Sequence, residues 1–426
     1  MTDQIEIPVR KTVTGSVKVP GSKSITNRAI ILAALADGPS ILSNALESVD
    51  TIVAKDSLRK LGINIASTYD QITVHGCGGQ INECANPLWV ENAGTAARFL
   101  VPILCAGKGQ YKLDGSTRMR ERPIGELIAT LHSMGCDVKS DLNNDCLPLT
   151  VSGGRFPGGE VYLEGRTSSQ FISALMIAAP LGNQPLIIQL GEKPVSVTYI
   201  EMTLDVMKSF GLQGEFNGRT ITIPAPQRVI ATNYEIESDV SSASYFFAAA
   251  AVTGGNVKVQ HLRKNSIQGD IKLLEVLEKM GCEVNYLADG IQVKGNQLKG
   301  VEVNMNTFSD MVPTIACVAL FAEGVTRIHD VANIRLKECD RLAAMKTELS
   351  KLGGTVTEFE DGLEIVGGSA GNTGAEIDTY DDHRIAMAFS ISGLKIPNVK
   401  INDPDCVSKT FPDYFDRFFD LLNQSE

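Results

Sequence analysis

No two of the nine cysteines stand in a Cys-x-x-Cys pair, and an odd, scattered set of thiols suits neither a disulfide framework nor a structural zinc site. Cys77, Cys84, Cys105, Cys136, Cys146, Cys282, Cys317, Cys339 and Cys406 instead fit reduced cytosolic thiols. Excess positive charge is also lacking: 50 acidic against 39 basic residues leave a net charge of −11. That balance argues against nucleic acid or an anionic membrane as the main partner, because both are gripped by basic surfaces. No apolar run reaches the ~20 residues of a membrane span without polar interruption. The first residues, MTDQIEIPVRK, lack the apolar core of a signal peptide. A cytoplasmic protein is expected. With 426 residues, 43% of them hydrophobic and 21% charged, the chain suggests two or three domains of about 100–200 residues each.

What the chain does have is internal repetition. A helical pattern ending in glycine and then a short strand recurs as SLRKLGINI, TLHSMGCDV, VMKSFGLQG, VLEKMGCEV and ELSKLGGTV. The glycines Gly62, Gly135, Gly211, Gly281 and Gly353 follow one another at intervals of roughly 70–76 residues. A second series interleaves with it, each member a polar opening followed by an alanine-rich apolar helix and a glycine. Its copies run over 24–38, 92–107, 168–182, 241–254, 310–324 and 381–393. Six units of about 71 residues follow, each with one buried helix, one amphipathic helix and β-rich connections. The sixth is cut short after the helix begun by Pro412, while two strand-like pieces, Ile5 to Arg10 and Thr14 to Val19, precede the first unit. These N-terminal strands are expected to complete the last unit. The domains would then be 21–237, and 238–426 completed by residues 1–20.

The polar openings carry more chemistry than a helix cap requires. In PGSKSITNRAIILAAL, Ser24 or Thr26 is the expected N-cap, and Lys23 and Arg28 add cations to a helix N-terminus already suited to anions. Asn92-Ala93-Gly94-Thr95 puts a residue without a side chain at a helix mouth, for a ligand or for helix packing. Ser168-Ser169-Gln170 offers two hydroxyls and an amide where one cap would suffice. Among Arg118, Arg120 and Arg122, the first two read as solvated loop, while Arg122, directly before Pro123, is the better anion ligand. The second half adds Asp310, Asn333, Lys337, Glu338, Arg341, His383, Arg384 and Lys409. Asp310 alone is equally a plain N-cap, and IRLKECDRLAAM equally a charged helix face. Asp381-Asp382-His383-Arg384 leads straight into a buried helix. A cation-rich cleft with one or two isolated carboxylates suits multiply anionic substrates and acid/base chemistry.

These residues form a pattern. PGSKSITNRA, ENAGTAARF, RMRERPIGEL, GRTSSQFISAL, SSASYFFAAAA, KNSIQGD, LKECDRLAAM, DTYDDHRIAMAFS and SKTFPDYF resemble, in order and over essentially the whole chain, the EPSP synthases (3-phosphoshikimate 1-carboxyvinyltransferases). The resemblance implies an α/β, two-domain enolpyruvyl transferase-like fold of six βαβαββ repeats, three per domain, with buried helices surrounded by sheets. It implies transfer of the enolpyruvyl group of phosphoenolpyruvate to the 5-hydroxyl of shikimate 3-phosphate, with no metal or organic cofactor. By motif, shikimate 3-phosphate would meet Lys23, Ser24, Arg28, Ser168, Ser169, Gln170, Ser196, Tyr199, Asp310, Asn333 and Lys337. Phosphoenolpyruvate would meet Lys23, Gly94, Arg122, Gln170, Arg341, Arg384 and Lys409. Asp310 is the expected hydroxyl base and Glu338 the carbon acid/base, with Lys23 and Lys409 stabilising charge and delivering a proton to phosphate. A monomer is expected, in which shikimate 3-phosphate draws the two halves together and tightens binding of phosphoenolpyruvate. Phe99 and Met311-Val312-Pro313 depart from the family's usual residues, and Phe99 bears on the helix that carries Gly94. The related UDP-N-acetylglucosamine enolpyruvyl transferases usually carry a reactive cysteine in the loop before the Arg-Pro pair; here residues 115–122 contain none. A non-catalytic phosphometabolite-binding repeat protein is the remaining alternative.

Overall fold

Apolar residues at alternate positions, as in Leu186–Leu190, bury one face of a short strand. Alanine-rich runs such as Val240–Thr253 are apolar or small all round and form helices with no face in water. In the computed structural model, which describes residues 4–68 and 70–425, such pieces assemble into two compact units. One is continuous, Gly21–Ile236; the other joins Met1–Pro20 to Glu237–Glu426.

In the continuous unit the helices Lys23–Leu35, Gly94–Ala106 and Ser169–Ala178 are buried over nearly their whole length and pack on one another. Three four-stranded sheets accompany them, all with one pattern. In one, Gly159–Leu163 runs parallel to Leu186–Leu190, which pairs antiparallel with Thr220–Ile223, itself antiparallel to Glu215–Phe216. The strands Asn233–Glu235, Pro39–Ser43, Gln71–His75 and Asn64–Ser67 repeat that order, as do Leu88–Trp89, Gln110–Asp114, Leu149–Ser152 and Asp137–Ser140.

The discontinuous unit buries the helices Val240–Thr253, Val312–Ala319 and His383–Gly393. Two of its sheets have four strands in the same order and the third has three. Its two N-terminal strands part company. Gln4–Glu6 pairs antiparallel with Lys400–Asn402 in the three-stranded sheet. Thr14–Val17, expected there too, instead lies parallel to Asn256–Gln260 in another sheet. The reason is local: the Val13 N–H donates to Thr253 Oγ1 at 3.0 Å, and buried Val13 and Val17 join the core around Val257 and Val259.

Amphipathic helices stop at Gly62, Gly135, Gly211, Gly281 and Gly353, whose φ angles lie between +77° and +110°, a conformation that favours glycine. The chain passes between units at two points. On one side Asp239 N–H donates to Pro20 O at 2.8 Å; on the other, Asn44 Nδ2 donates to Ile236 O at 2.8 Å.

Candidate active site

Within Gly21–Ile236 the polar side chains gather at the N-terminal ends of the three buried helices. The first helix begins earlier than expected, with Ser22 as its N-cap, so Lys23 and Ser24 occupy its first turn. Pro20-Gly21 holds Ser22 extended, and the Thr26 hydroxyl turns back to Ser22 O at 2.7 Å instead of capping. Lys23 Nζ stands 3.5 Å from Asp50 Oδ2, at the start of the Val49–Lys60 helix. Arg28 is 1% exposed. Its Nε donates to Thr203 Oγ1 (2.8 Å), Nη1 to Ser24 O (2.9 Å), and Nη2 to Ser173 Oγ (3.0 Å) and Tyr199 O (3.4 Å). The Phe99 and Tyr199 rings flank the guanidinium at 5.2 and 5.7 Å. Every one of these acceptors is neutral. Burial accordingly lowers its pKa to about 10, with a smaller opposing influence from Tyr199.

Arg122 is buried, and its Nη1 donates to Asn92 O (3.0 Å) and Oδ1 (2.9 Å). Arg118 and Arg120 pair at the surface with Glu121 and Asp114. Gly94, the first residue of its helix, lets two arginines approach: a Cβ there would lie 2.7 Å from Arg122 Nη2 and 2.9 Å from Arg98 Nη1. Ser168 caps the third helix by accepting from Gln170 N at 3.3 Å, and buried Ser169 follows it. Arg98 Nη1 donates to Gln170 Oε1 at 2.5 Å, and Gln170 Nε2 donates to Thr95 Oγ1 at 3.1 Å. Ser196, at φ 53°, accepts from Tyr199 N through its carbonyl at 3.1 Å.

In the discontinuous unit the centre is Arg341, 1% exposed and tied to three carboxylates. Its Nε and Nη2 grip Asp382 (2.7 and 3.1 Å), Nη2 also reaches Glu338 Oε2 (3.0 Å), and Nη1 reaches Asp310 Oδ1 (3.1 Å). Burial alone would pull its pKa down; Asp382, Glu338 and Asp310 outweigh that and hold it above the ordinary arginine value. Asp310 is not an N-cap. It lies in the 3₁₀ turn Asn306–Met311, and the following helix is capped by Met311. Its carboxylate meets Arg384 Nη2 at 2.9 Å and Lys337 Nζ at 3.7 Å besides Arg341. Asn333, buried, donates to Ser309 Oγ at 3.2 Å. Asp382 caps the His383–Gly393 helix by accepting from Arg384 N at 2.9 Å, and His383 is buried beside it. Lys409 ends the 3₁₀ turn Pro404–Lys409 and is buried; Asp381, raised by burial, is pulled the other way by its charge. Among the described residues no group of three or more His, Cys, Asp or Glu side chains is placed to hold a metal ion.

Sequence reading gave no role to Asp382, Arg98, Asn92, Ser173 or Thr203, all of which seat an arginine or Gln170. Only Asp382 carried a signal, an acid directly before a buried helix. Two more unassigned residues, Ser241 and Asp270, hydrogen-bond to each other beside Arg384.

The sequence model described as EPSP synthase (3-phosphoshikimate 1-carboxyvinyltransferase) matches residues 7–418. The chain is 46% identical to the 3-phosphoshikimate 1-carboxyvinyltransferase of Nostoc punctiforme, over 99% of this chain and 100% of that one. It is 43% identical to the chloroplastic enzyme of that name from Arabidopsis thaliana, over 96% and 82% of the two chains. The EPSP synthase structure from Acinetobacter baumannii superposes with a TM-score of 0.82 at 27% identity, over 98% of this chain and 97% of that one.

Proposed function

This chain belongs to the EPSP synthase family, and from that premise we propose how its side chains divide the work. The reaction transfers the enolpyruvyl group of phosphoenolpyruvate to the 5-hydroxyl of shikimate 3-phosphate, releasing phosphate, in the shikimate pathway to chorismate and aromatic amino acids. Lys23, Ser24, Arg28, Ser168, Ser169, Gln170, Ser196 and Tyr199 serve shikimate 3-phosphate in one unit; Asp310, Asn333 and Lys337 serve it in the other. Lys23, Gly94, Arg122, Gln170, Arg341, Arg384 and Lys409 serve phosphoenolpyruvate.

One observation carries the catalytic assignment: Asp310 is met by Lys337, Arg341 and Arg384. A carboxylate in that position can take a proton while the cations around it receive an anion. In the first step the acceptor oxygen bonds to C2 of phosphoenolpyruvate, its proton passes to Asp310, and Glu338 protonates the methylene carbon. The resulting adduct carries two phosphates and a carboxylate, which match the arginines and lysines named above. In the second step the C–O bond to phosphate breaks, Glu338 takes back a methyl proton, and Lys23 or Lys409 gives the departing phosphate a proton that the one held on Asp310 replaces. Arg341, bonded to both Asp310 and Glu338, keeps the two carboxylates apart in role by fixing one oxygen of each.

The enzyme works as a monomer in the cytosol on this reading; all nine cysteines are free thiols, in keeping with a reducing compartment. Among the described residues no helix is long and apolar enough to cross a membrane. The test is phosphate release from phosphoenolpyruvate. Release should require shikimate 3-phosphate; release with UDP-N-acetylglucosamine in its place, or no turnover at all, would reject the reading.

A further inference from the structure

KNSIQGD, the segment given no task above, packs against the start of the Val240–Thr253 helix. Gln268 Nε2 donates to Ser238 O at 2.8 Å, and Gln268 Oε1 accepts from Val240 N at 3.1 Å. That clamp places Asp270 against Ser241, and the Ser241 hydroxyl donates to Asp270 Oδ2 in a short hydrogen bond. Arg384 Nη2 lies 3.5 Å from the same hydroxyl and 2.9 Å from Asp310 Oδ2. All three side chains are buried: Asp270 is 4% exposed, Arg384 5% and Ser241 9%.

The placement of Asp270 is costly. Its Oδ1 has no hydrogen-bond partner among the described residues. Burial, and then Asp310, raise its pKa to about 6 against the pull of Arg384 and Ser241, while Asp239 adds to the rise. A residue needed only to fill space or bond Ser241 need not be an acid. A hydroxyl, however, has one hydrogen and two lone pairs. Once Asp270 takes the hydrogen, only lone pairs remain to face Arg384.

We infer that Asp270 is a positioning residue: through Ser241 it gives Arg384 a fixed anchor besides Asp310, so that this guanidinium stays aimed at phosphoenolpyruvate when Asp310 turns to the acceptor hydroxyl. The inference rests on the assignment of Arg384 to phosphoenolpyruvate. Without the relay, Arg384 loses this anchor, and binding of the donor suffers more than binding of the acceptor.

Steady-state kinetics with each substrate varied, on Ser241→Ala, Asp270→Ala, Asp270→Asn, the Ser241→Ala/Asp270→Ala double variant and Arg384→Ala, test it. Ser241→Ala and Asp270→Ala should each raise the KM for phosphoenolpyruvate about tenfold, with the KM for shikimate 3-phosphate changed less than about twofold. The double variant should be no worse than either single one, because both cut the same relay. Asp270→Asn should fall in between, since its amide oxygen still accepts from Ser241. Ser241→Ala removes one oxygen atom, so it carries the test even where Asp270→Ala folds poorly. An unchanged donor KM in Ser241→Ala, or effects that multiply in the double variant, overturns the relay. An unchanged donor KM in Arg384→Ala overturns the assignment of Arg384 instead.

Discussion

Single side chains here are held by what their neighbours can accept. Gly94 is the clearest case, because two guanidiniums occupy the space a Cβ would need. Gly94→Ala must push Arg122 and Arg98 aside, and Arg98 holds Gln170. The KM for phosphoenolpyruvate should rise about tenfold or more, since sub-ångström displacement of a ligand-positioning group is expensive. An unchanged donor KM would show that Arg122 and Gln170 do not serve phosphoenolpyruvate from these positions. Asp310→Asn keeps the shape of the side chain and removes the proposed base, so kcat should drop about 10²–10⁴-fold while shikimate 3-phosphate still binds. Near-normal turnover would leave Asp310 as a mere counter-charge to Arg341 and Arg384. Asp270 predicts a pH effect on stability. Its pKa of about 6 in the fold exceeds the ~3.9 of an unfolded aspartate, so folding takes up a proton between these values. The charged form therefore costs stability above pH ~6, and that cost vanishes as pH falls towards ~4. Burial, Asp310 and Asp239 act to raise the value, and Arg384 and Ser241 act to lower it. Asp270→Asn is always neutral, so its melting temperature relative to the native protein should be more favourable at pH 8 than at pH 4.5. A difference independent of pH would contradict the raised pKa.

At the scale of elements, the openings of the buried helices are where polar chemistry is concentrated and where the sequence is only partly readable. Arg122 could be set apart from Arg118 and Arg120 because Pro123 follows it at the start of a helical pattern. The surroundings of Arg28 could not be read, since Ser173 and Thr203 lie 145 and 175 positions away in the chain. Periodicity says that a position is buried; it does not say which hydroxyl meets it. Nor did it show that Ser22, not Ser24 or Thr26, stands at the N-cap position of the first helix, because several hydroxyls in a row all satisfy the same rule. The His383–Gly393 helix shows how such an opening is stabilised. Tyr380 and Asp381 both have positive φ, 55° and 52°, an uncommon conformation for two successive residues other than glycine. The loop is fixed by buried Glu348, which accepts from Tyr380 Oη at 2.6 Å and from Asp378 N at 3.1 Å, and by Asp382 in the grip of Arg341. Asp382→Asn retains a cap for Arg384 N but removes the charge opposite Arg341. Breaking one partner of a buried pair costs about 3–5 kcal/mol, and the denaturant midpoint should fall accordingly. A shift below about 1 kcal/mol would mean that Glu338 and Asp310 suffice to balance Arg341.

For the molecule as a whole, the alternation of buried and amphipathic helices was legible because alanine-rich runs and glycine stops are local signals. Strand partners were not, and Thr14–Val17 shows why: its four residues, TGSV, have only Val17 buried, so the sequence alone favours no particular sheet. Its choice of Asn256–Gln260 comes from Val13, held between Thr253 Oγ1 and the Asn256 N–H, some 240 residues onward. The two units therefore differ in how they depend on the chain. Gly21–Ile236 contains all the strands of its three sheets and all three of its buried helices. Glu237–Glu426 draws one strand of a four-stranded sheet and one of a three-stranded sheet from the first 20 residues. A fragment of residues 21–236 should consequently unfold in one cooperative transition. It should bind shikimate 3-phosphate weakly through Lys23, Ser24, Arg28, Ser168 and their neighbours, with no turnover, since Asp310 and Glu338 are absent. A fragment of residues 237–426 should be unstable or aggregate, because it exposes the edge of Asn256–Gln260 and the apolar pocket of Ile7, Val13 and Val17. Adding back residues 1–20 as a peptide should restore its cooperative unfolding and raise its melting temperature. Calorimetry on the two fragments, with and without the peptide, decides the matter. A 237–426 fragment that melts cooperatively and is indifferent to the peptide would show that the N-terminal strands decorate this unit rather than complete its core.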